Sequence, residues 1–184
     1  MDIILASTSR YRRRLLERLQ ISFRCIPPEI EENHLFGEAP AAMAQRLAHL
    51  KAQAVAERYP RALVIGSDQV ASFAGSILGK PGNFDAAATQ LRNASGRDVQ
   101  FYTAVAIICL ERHLDWFHVE PFNVRFRTLS DTQIATYLYR EQPYDCAGSF
   151  KVEGLGIALF ERLSGNDPTS LEGLPLIKMT ELLA

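Results

Sequence analysis

Ile3-Ile4-Leu5-Ala6-Ser7-Thr8-Ser9-Arg10-Tyr11-Arg12-Arg13-Arg14-Leu15-Leu16-Glu17-Arg18-Leu19 changes its hydrophobic period once, at the serines. Residues 3–6 are an unbroken apolar run, short enough for a buried strand. Leu15, Leu16 and Leu19 mark one face of a helix that begins just after Ser9. The stretch therefore reads as strand, turn and helix, the unit from which α/β folds are built. A helix N-terminus directs free N–H groups and the positive end of its dipole outward, which suits phosphate. Positive side chains are normally disfavoured there. Four arginines (10, 12, 13 and 14) around Ser7 and Ser9 therefore predict a bound anion.

Outward from this unit, residues 21–26 read as a second strand that ends at Pro27-Pro28, followed by the acidic loop Glu29-Ile30-Glu31-Glu32. Met43, Leu47, Leu50 and Ala54 are spaced for a helix over 41–59, which Pro60 stops. Residues 62–66 form a continuous apolar strand, with Ser67-Asp68-Gln69 expected just past its carboxyl end. Residues 70–73 and 77–78 flank Ala74-Gly75-Ser76 as a hairpin. Asn83 or Asp85 caps a helix through Leu91. Long strands are expected over 99–110 and 114–127. Ser130 and Gln133 make a capping box for a helix to about Arg140. A glycine-rich loop over 146–156, a strand over 157–162 and a helix over 176–183 complete the chain. Hairpins beside strand–helix units predict an α/β fold with a mixed sheet, and 184 residues predict one domain over 1–184.

The formal net charge is −1, so the positive charge is local and suits a small anionic ligand rather than a nucleic-acid polymer. Cys25, Cys109 and Cys146 show no CxxC spacing, which predicts free thiols in a reducing compartment. No signal peptide and no run of membrane-spanning length is visible, so a soluble cytoplasmic protein with no membrane partner is expected. Among 20 basic residues only Lys51, Lys80, Lys151 and Lys178 are lysines.

Asp68 is the first candidate for chemistry. A carboxylate beside a buried strand can take a proton from water or hold a cation, although Asp is also common in turns. Glu32 could add a second carboxylate, and Mg²⁺ or Mn²⁺ commonly uses one or two carboxylates plus substrate phosphates. Lys80 in Gly79-Lys80-Pro81-Gly82 could present an ammonium to phosphate, but the P-loop spacing is absent. The glycines around Gly148-Ser149-Phe150-Lys151-Val152-Glu153-Gly154 allow close approach to a ligand. Ser7, Ser9, Arg12, Arg13, Lys51 and Lys80 as phosphate binders, with Glu32 and Asp68 as metal-competent carboxylates, suit hydrolysis of a nucleoside triphosphate.

In this order Leu5-Ala6-Ser7-Thr8-Ser9 with Arg12-Arg13, Glu32, Lys51, Gly66-Ser67-Asp68, Gly79-Lys80-Pro81, Tyr102-Thr103, Ala147-Gly148-Ser149 and Gly173-Leu174-Pro175 resemble the Maf nucleotide pyrophosphatases. The resemblance implies a Maf-like, inosine triphosphate pyrophosphatase-like fold: a mixed sheet flanked by helices, with two lobes and a central cleft. It implies hydrolysis of a nucleoside triphosphate to the monophosphate and pyrophosphate with a divalent cation, and is compatible with a homodimer. By the resemblance Asp68 is the proton acceptor, Arg12, Arg13, Lys51 and Lys80 contact phosphate, and Glu32 is the second acid.

Tyr11, Gln69 and Glu153 occupy the positions by which the family's branches divide, and resemble the branch acting on 7-methyl-GTP. A carboxylate at 153 can accept both guanine donors, N1–H and N2–H₂. An aromatic face at 11 attracts a purine made cationic by N7 methylation. Arg10 stands where the family usually has proline, Tyr11 where this branch has tryptophan, and Glu31 where the family often has Asp. The alternatives are a pyrophosphatase for dTTP, UTP or another nucleotide, and a non-catalytic nucleotide-binding regulator linked to cell division.

Overall fold

A computed structural model of the chain describes residues 1–183. The strands are β1 (Ile3–Leu5), β2 (Arg24–Cys25), β3 (Leu63–Phe73), β4 (Ser76–Leu78), β5 (Asp98–Cys109), β6 (Leu114–Phe126) and β7 (Phe160–Gly165). The helices are α1 (Arg10–Glu17), α2 (Pro40–Ala56), α3 (Phe84–Ala94), α4 (Asp131–Glu141) and α5 (Leu176–Leu183). The sheet order is β2-β1-β3-β5-β6-β7, with β4 beside β3. β1 runs parallel to β2 and β3, whereas β3–β4 and β6–β7 are antiparallel, so the sheet is mixed as expected.

The chain forms two compact units. The first comprises Met1–Gln69, Tyr102–Glu120 and Asp167–Ala184; the second comprises Val70–Phe101 and Pro121–Asn166. In the first, Leu15 and Leu16 of α1 and Leu176 and Met179 of α5 share a core with Leu5, Ile65, Val105 and Ile107. At about 1.5–3 kcal/mol for each fully buried aliphatic side chain, this cluster is what fixes α1 on the sheet. In the second, Phe150 meets Phe101, Phe126 and Phe160 edge to face, with centroids 5.2, 5.8 and 4.7 Å away. Each such pair adds about 0.5–1.5 kcal/mol beyond burial, so Phe150 anchors the glycine-rich loop.

Three expectations need correction. β3 does not stop at Gly66 but continues through Ser67-Asp68-Gln69 to Phe73, because the polar triplet interrupts the apolar pattern without interrupting the strand. The strand expected over 21–26 is only Arg24–Cys25, both exposed, as befits a short edge strand. The strand expected over 157–162 begins at Phe160, since residues 155–159 still form a 3₁₀ turn. The N–H groups of Gly154 and Gly156 both bond Lys151 O, at 3.2 and 3.1 Å, and keep the chain folded back there. The capping box of α4 is present in full, and Asn83 rather than Asp85 caps α3. Among the described residues no helix is long and apolar enough to cross a membrane.

Candidate functional site

Gly66 decides where the charged cluster of the first unit forms. A Cβ at this position would lie 2.3 Å from Ala48 O and 2.6 Å from Ala52 N. Only glycine lets α2 approach β3 so closely. Lys51 lies on this contact face of α2, between Ala48 and Ala52, and is 5% exposed. Its Nζ reaches Asp68 Oδ1 at 2.6 Å and Glu32 Oε1 at 2.7 Å. Asp68 is itself buried on β3, whereas Glu32 is half-exposed on its loop. Two carboxylates thus converge on one ammonium. A buried pair of this kind holds position strongly, since losing one partner leaves an uncompensated charge.

Arg12 approaches the same cluster from α1. Burial pushes its guanidinium below its ordinary pKa, while the charges of Asp68 and Glu32 oppose the shift. Its Nε donates to Gly173 O at 3.2 Å. Ser7 and Ser9 shape the turn before it: Ser9 N donates to Ser7 Oγ at 3.1 Å, and Ser9 Oγ accepts from Arg12 N at 3.4 Å as the N-cap. Arg13 points away from the cluster and pairs with Glu17 at 3.0 Å, both side chains being more than half exposed. Arg10 Cζ lies 4.9 Å from the Tyr11 ring centroid, and its Nη2 donates to Tyr11 Oη at 2.8 Å. The Tyr11 ring therefore already carries a cation.

The residues flanking Asp68 are fixed by a segment far away in sequence. Ser67 Oγ donates to Gly173 O at 2.7 Å, the carbonyl that also holds Arg12. Gln69 Nε2 donates to Thr103 Oγ1 at 3.0 Å and to Ser170 O at 2.8 Å. Thr103 Oγ1 donates to Ser170 O at 2.9 Å. Asp68 is thus held between two pinned neighbours.

In the second unit, Lys80 is exposed and makes no hydrogen bond or ion pair among the described residues. Glu153 is exposed on a tight turn. A Cβ on the next residue, Gly154, would lie 2.7 Å from Glu141 Oε2, and that oxygen accepts from Leu155 N at 2.7 Å. Lys151 Nζ donates to Glu141 O at 3.1 Å, a favourable place for a cation at the end of α4. Cys146, nearby, has its thiol pushed up to about 12, chiefly by burial.

Residues 2–184 match the Maf family, described as Maf-like protein. The chain belongs to the Maf-like family. It is 51% identical over 181 residues to the 7-methyl-GTP pyrophosphatase of Colwellia psychrerythraea, a match covering 98% of this chain and 90% of that one. It is 50% identical over 181 residues to the protein of the same name from Polaromonas sp., covering 98% and 83%. For the Pseudomonas fluorescens protein, also so named, the identity is 49% over 183 residues, covering 100% and 95%. Among solved structures, a HAM1 protein from Coxiella burnetii aligns over 100% of this chain and 98% of its own, with TM-score 0.59 and 15% identity. That likeness is one of fold.

For this Maf-like chain, the structure brings Glu32, Lys51, Asp68 and Arg12 into one electrostatic cluster in the first unit, with Ser7 and Ser9 on the turn that leads to Arg12. Lys80 and Glu153 belong to the second unit. Asp68 lies within β3 rather than beyond its end. Lys51, expected at phosphate, contacts the two carboxylates. Sequence reasoning assigned no role to Ser67, Thr103, Ser170 or the Gly173 carbonyl. Gly173-Leu174-Pro175, one of the stretches that carry the resemblance in sequence, is the signal for that segment.

Proposed function

We propose that the chain is a nucleoside triphosphate pyrophosphatase that hydrolyses 7-methyl-GTP to 7-methyl-GMP and pyrophosphate. The Asp68–Lys51–Glu32 cluster beside Arg12, with Asp68 and Lys51 buried, is the observation that carries this reading. Its support from relatives is the name shared by three proteins about half identical over nearly the whole chain.

Asp68 takes a proton from water as the oxygen attacks the α-phosphorus. The bond from that phosphorus to the α–β bridging oxygen breaks, pyrophosphate leaves, and the water oxygen stays on the monophosphate. Arg12 offers its guanidinium to the phosphates, and Ser7 and Ser9 add hydroxyl groups. Arg13 joins them by turning from Glu17, an exposed pair that is cheap to break at about 0–1 kcal/mol. Lys80 is assigned to phosphate, and Lys51 keeps the two carboxylates together. Tyr11 and Glu153 are assigned to the base, and Gln69 to holding the wall beside Asp68.

Glu32 and Asp68 supply hard carboxylate oxygens of the kind Mg²⁺ or Mn²⁺ takes, and both already converge on the Lys51 ammonium, beside which an ion would have to sit. No group of three or more ligating side chains occurs among the described residues, so substrate phosphate and water would complete the coordination. Such an ion would neutralise charge on the phosphates.

The test is pyrophosphate release from 7-methyl-GTP, GTP, dTTP and UTP with Mg²⁺ or Mn²⁺. The expected result is preference for 7-methyl-GTP, and a loss of about 10²–10⁴ in turnover for Asp68→Asn with nucleotide binding retained. Preference for dTTP or UTP would remove the base assignment. Binding without turnover would make the chain a regulator.

A further inference from the structure

Gln90 projects from the middle of α3 and bonds in two directions. Its Nε2 donates to Gly79 O at 3.0 Å. Its Oε1 accepts from Ser149 Oγ at 2.6 Å. Gly79 immediately precedes Lys80, and Ser149 belongs to the glycine-rich loop that leads to Glu153. One side chain in the second unit thus ties the loop carrying Lys80 to the loop that leads to Glu153.

Each loop is otherwise held so that this tie sets its position. The Lys80 loop has a second anchor three residues on, where Gly82 N donates to Tyr144 O at 3.0 Å. Pro81 between them fixes its own φ. With the backbone pinned on both sides, Lys80 has its origin set while its ammonium stays unpaired among the described residues. On the other side, Ser149 is fully buried and has φ +62°, a conformation uncommon for a residue with a Cβ. Such backbone persists where its surroundings over-determine it. Those surroundings are the Gln90 bond, the bond from Ser149 N to Cys146 O at 3.2 Å, and Gly148 packed against Phe101.

The chemistry of the strut is specific. Gly79 O accepts from the amide nitrogen, and the Ser149 hydroxyl donates to the amide oxygen. A side-chain amide supplies both at opposite corners of one rigid plane. A carboxylate lacks the donor, and an aliphatic side chain lacks both.

We propose that Gln90 is a positioning residue that holds Lys80 and the Glu153 loop in one register, so that phosphate affinity and base preference are coupled through it. The proposal rests on the assignment of Lys80 to phosphate and of Glu153 to the base. Gln90 itself touches neither.

The test is a double-mutant cycle of Gln90→Leu with Lys80→Ala, measuring kcat and KM for 7-methyl-GTP and GTP, with melting temperatures alongside. Gln90→Leu is expected to raise KM for 7-methyl-GTP about tenfold and to narrow the preference over GTP. In the Lys80→Ala background the same change should alter KM less than about twofold, because the ammonium it positions is gone. Ser149→Ala, a milder variant that severs one arm, should narrow the base preference while leaving KM for GTP within about twofold. Equal KM penalties in both backgrounds, or an unchanged base preference in both variants, would overturn the proposal and make Gln90 scaffold alone. If Lys80→Ala proves neutral by itself, the phosphate assignment fails first, and the coupling falls with it.

Discussion

Arg10 has a definite place: its guanidinium lies over the Tyr11 ring and its Nη2 bonds the phenol oxygen. On the reading that Tyr11 stacks against a cationic purine, Arg10 is a like charge on the same ring. A cation–π contact at an exposed site is worth about 0.5–1 kcal/mol. Arg10→Ala is therefore expected to raise the ratio of kcat/KM for 7-methyl-GTP over GTP about two- to fivefold. An unchanged or smaller ratio in steady-state kinetics would show that the base does not use this ring face. This pairing was invisible in the sequence, because adjacent residues on a helix do not ordinarily face each other. The basic character of the turn was legible, but the division of labour within it was not. Arg12 turns inward to Gly173 O while Arg13, next to it, turns outward to Glu17.

At the scale of elements, the contact between α2 and β3 is the one on which the acid cluster depends. Gly66→Ala would insert a methyl group against the Ala48 carbonyl and the Ala52 amide, and α2 would have to retreat. Overpacking of this kind costs about 1–3 kcal/mol, which is about 2–12 °C of melting temperature for a chain of this size. Activity should fall well beyond that loss, measured below the new melting point, because Lys51 would move away from Asp68. Activity matching the wild type with only stability lost would detach α2 placement from catalysis. The helices themselves were readable from local signals, since Ser130 with Gln133 and Asn83 act as the caps their sequence suggests. The site of Asp68 was harder to read. Apolar runs on either side of Ser67-Asp68-Gln69 look like two elements, yet one strand passes through, and Ser67 and Gln69 send their side chains to Gly173, Thr103 and Ser170. Partners that are 106 and 101 residues apart in sequence leave no periodic trace.

For the whole molecule, the two compact units are not two lengths of chain. The boundaries fall between Gln69 and Val70, Phe101 and Tyr102, Glu120 and Pro121, and Asn166 and Asp167. The first three lie inside β3, β5 and β6. Melting of either unit must therefore pull on strands of the other. A single calorimetric transition is expected, with calorimetric and van't Hoff enthalpies equal. Two resolved transitions would show that the units unfold separately.

The same threading bears on how such a protein can be altered by recombination. No single crossover in the gene exchanges one unit for that of a relative, because each unit is assembled from separated segments. A chimera that swaps the Lys80 and Glu153 unit while keeping the Asp68 unit needs four junctions, three of them within strands. On the proposed assignment of Tyr11 and Glu153 to the base, preference in this architecture changes more readily by point substitution than by module exchange, which needs all four junctions at once.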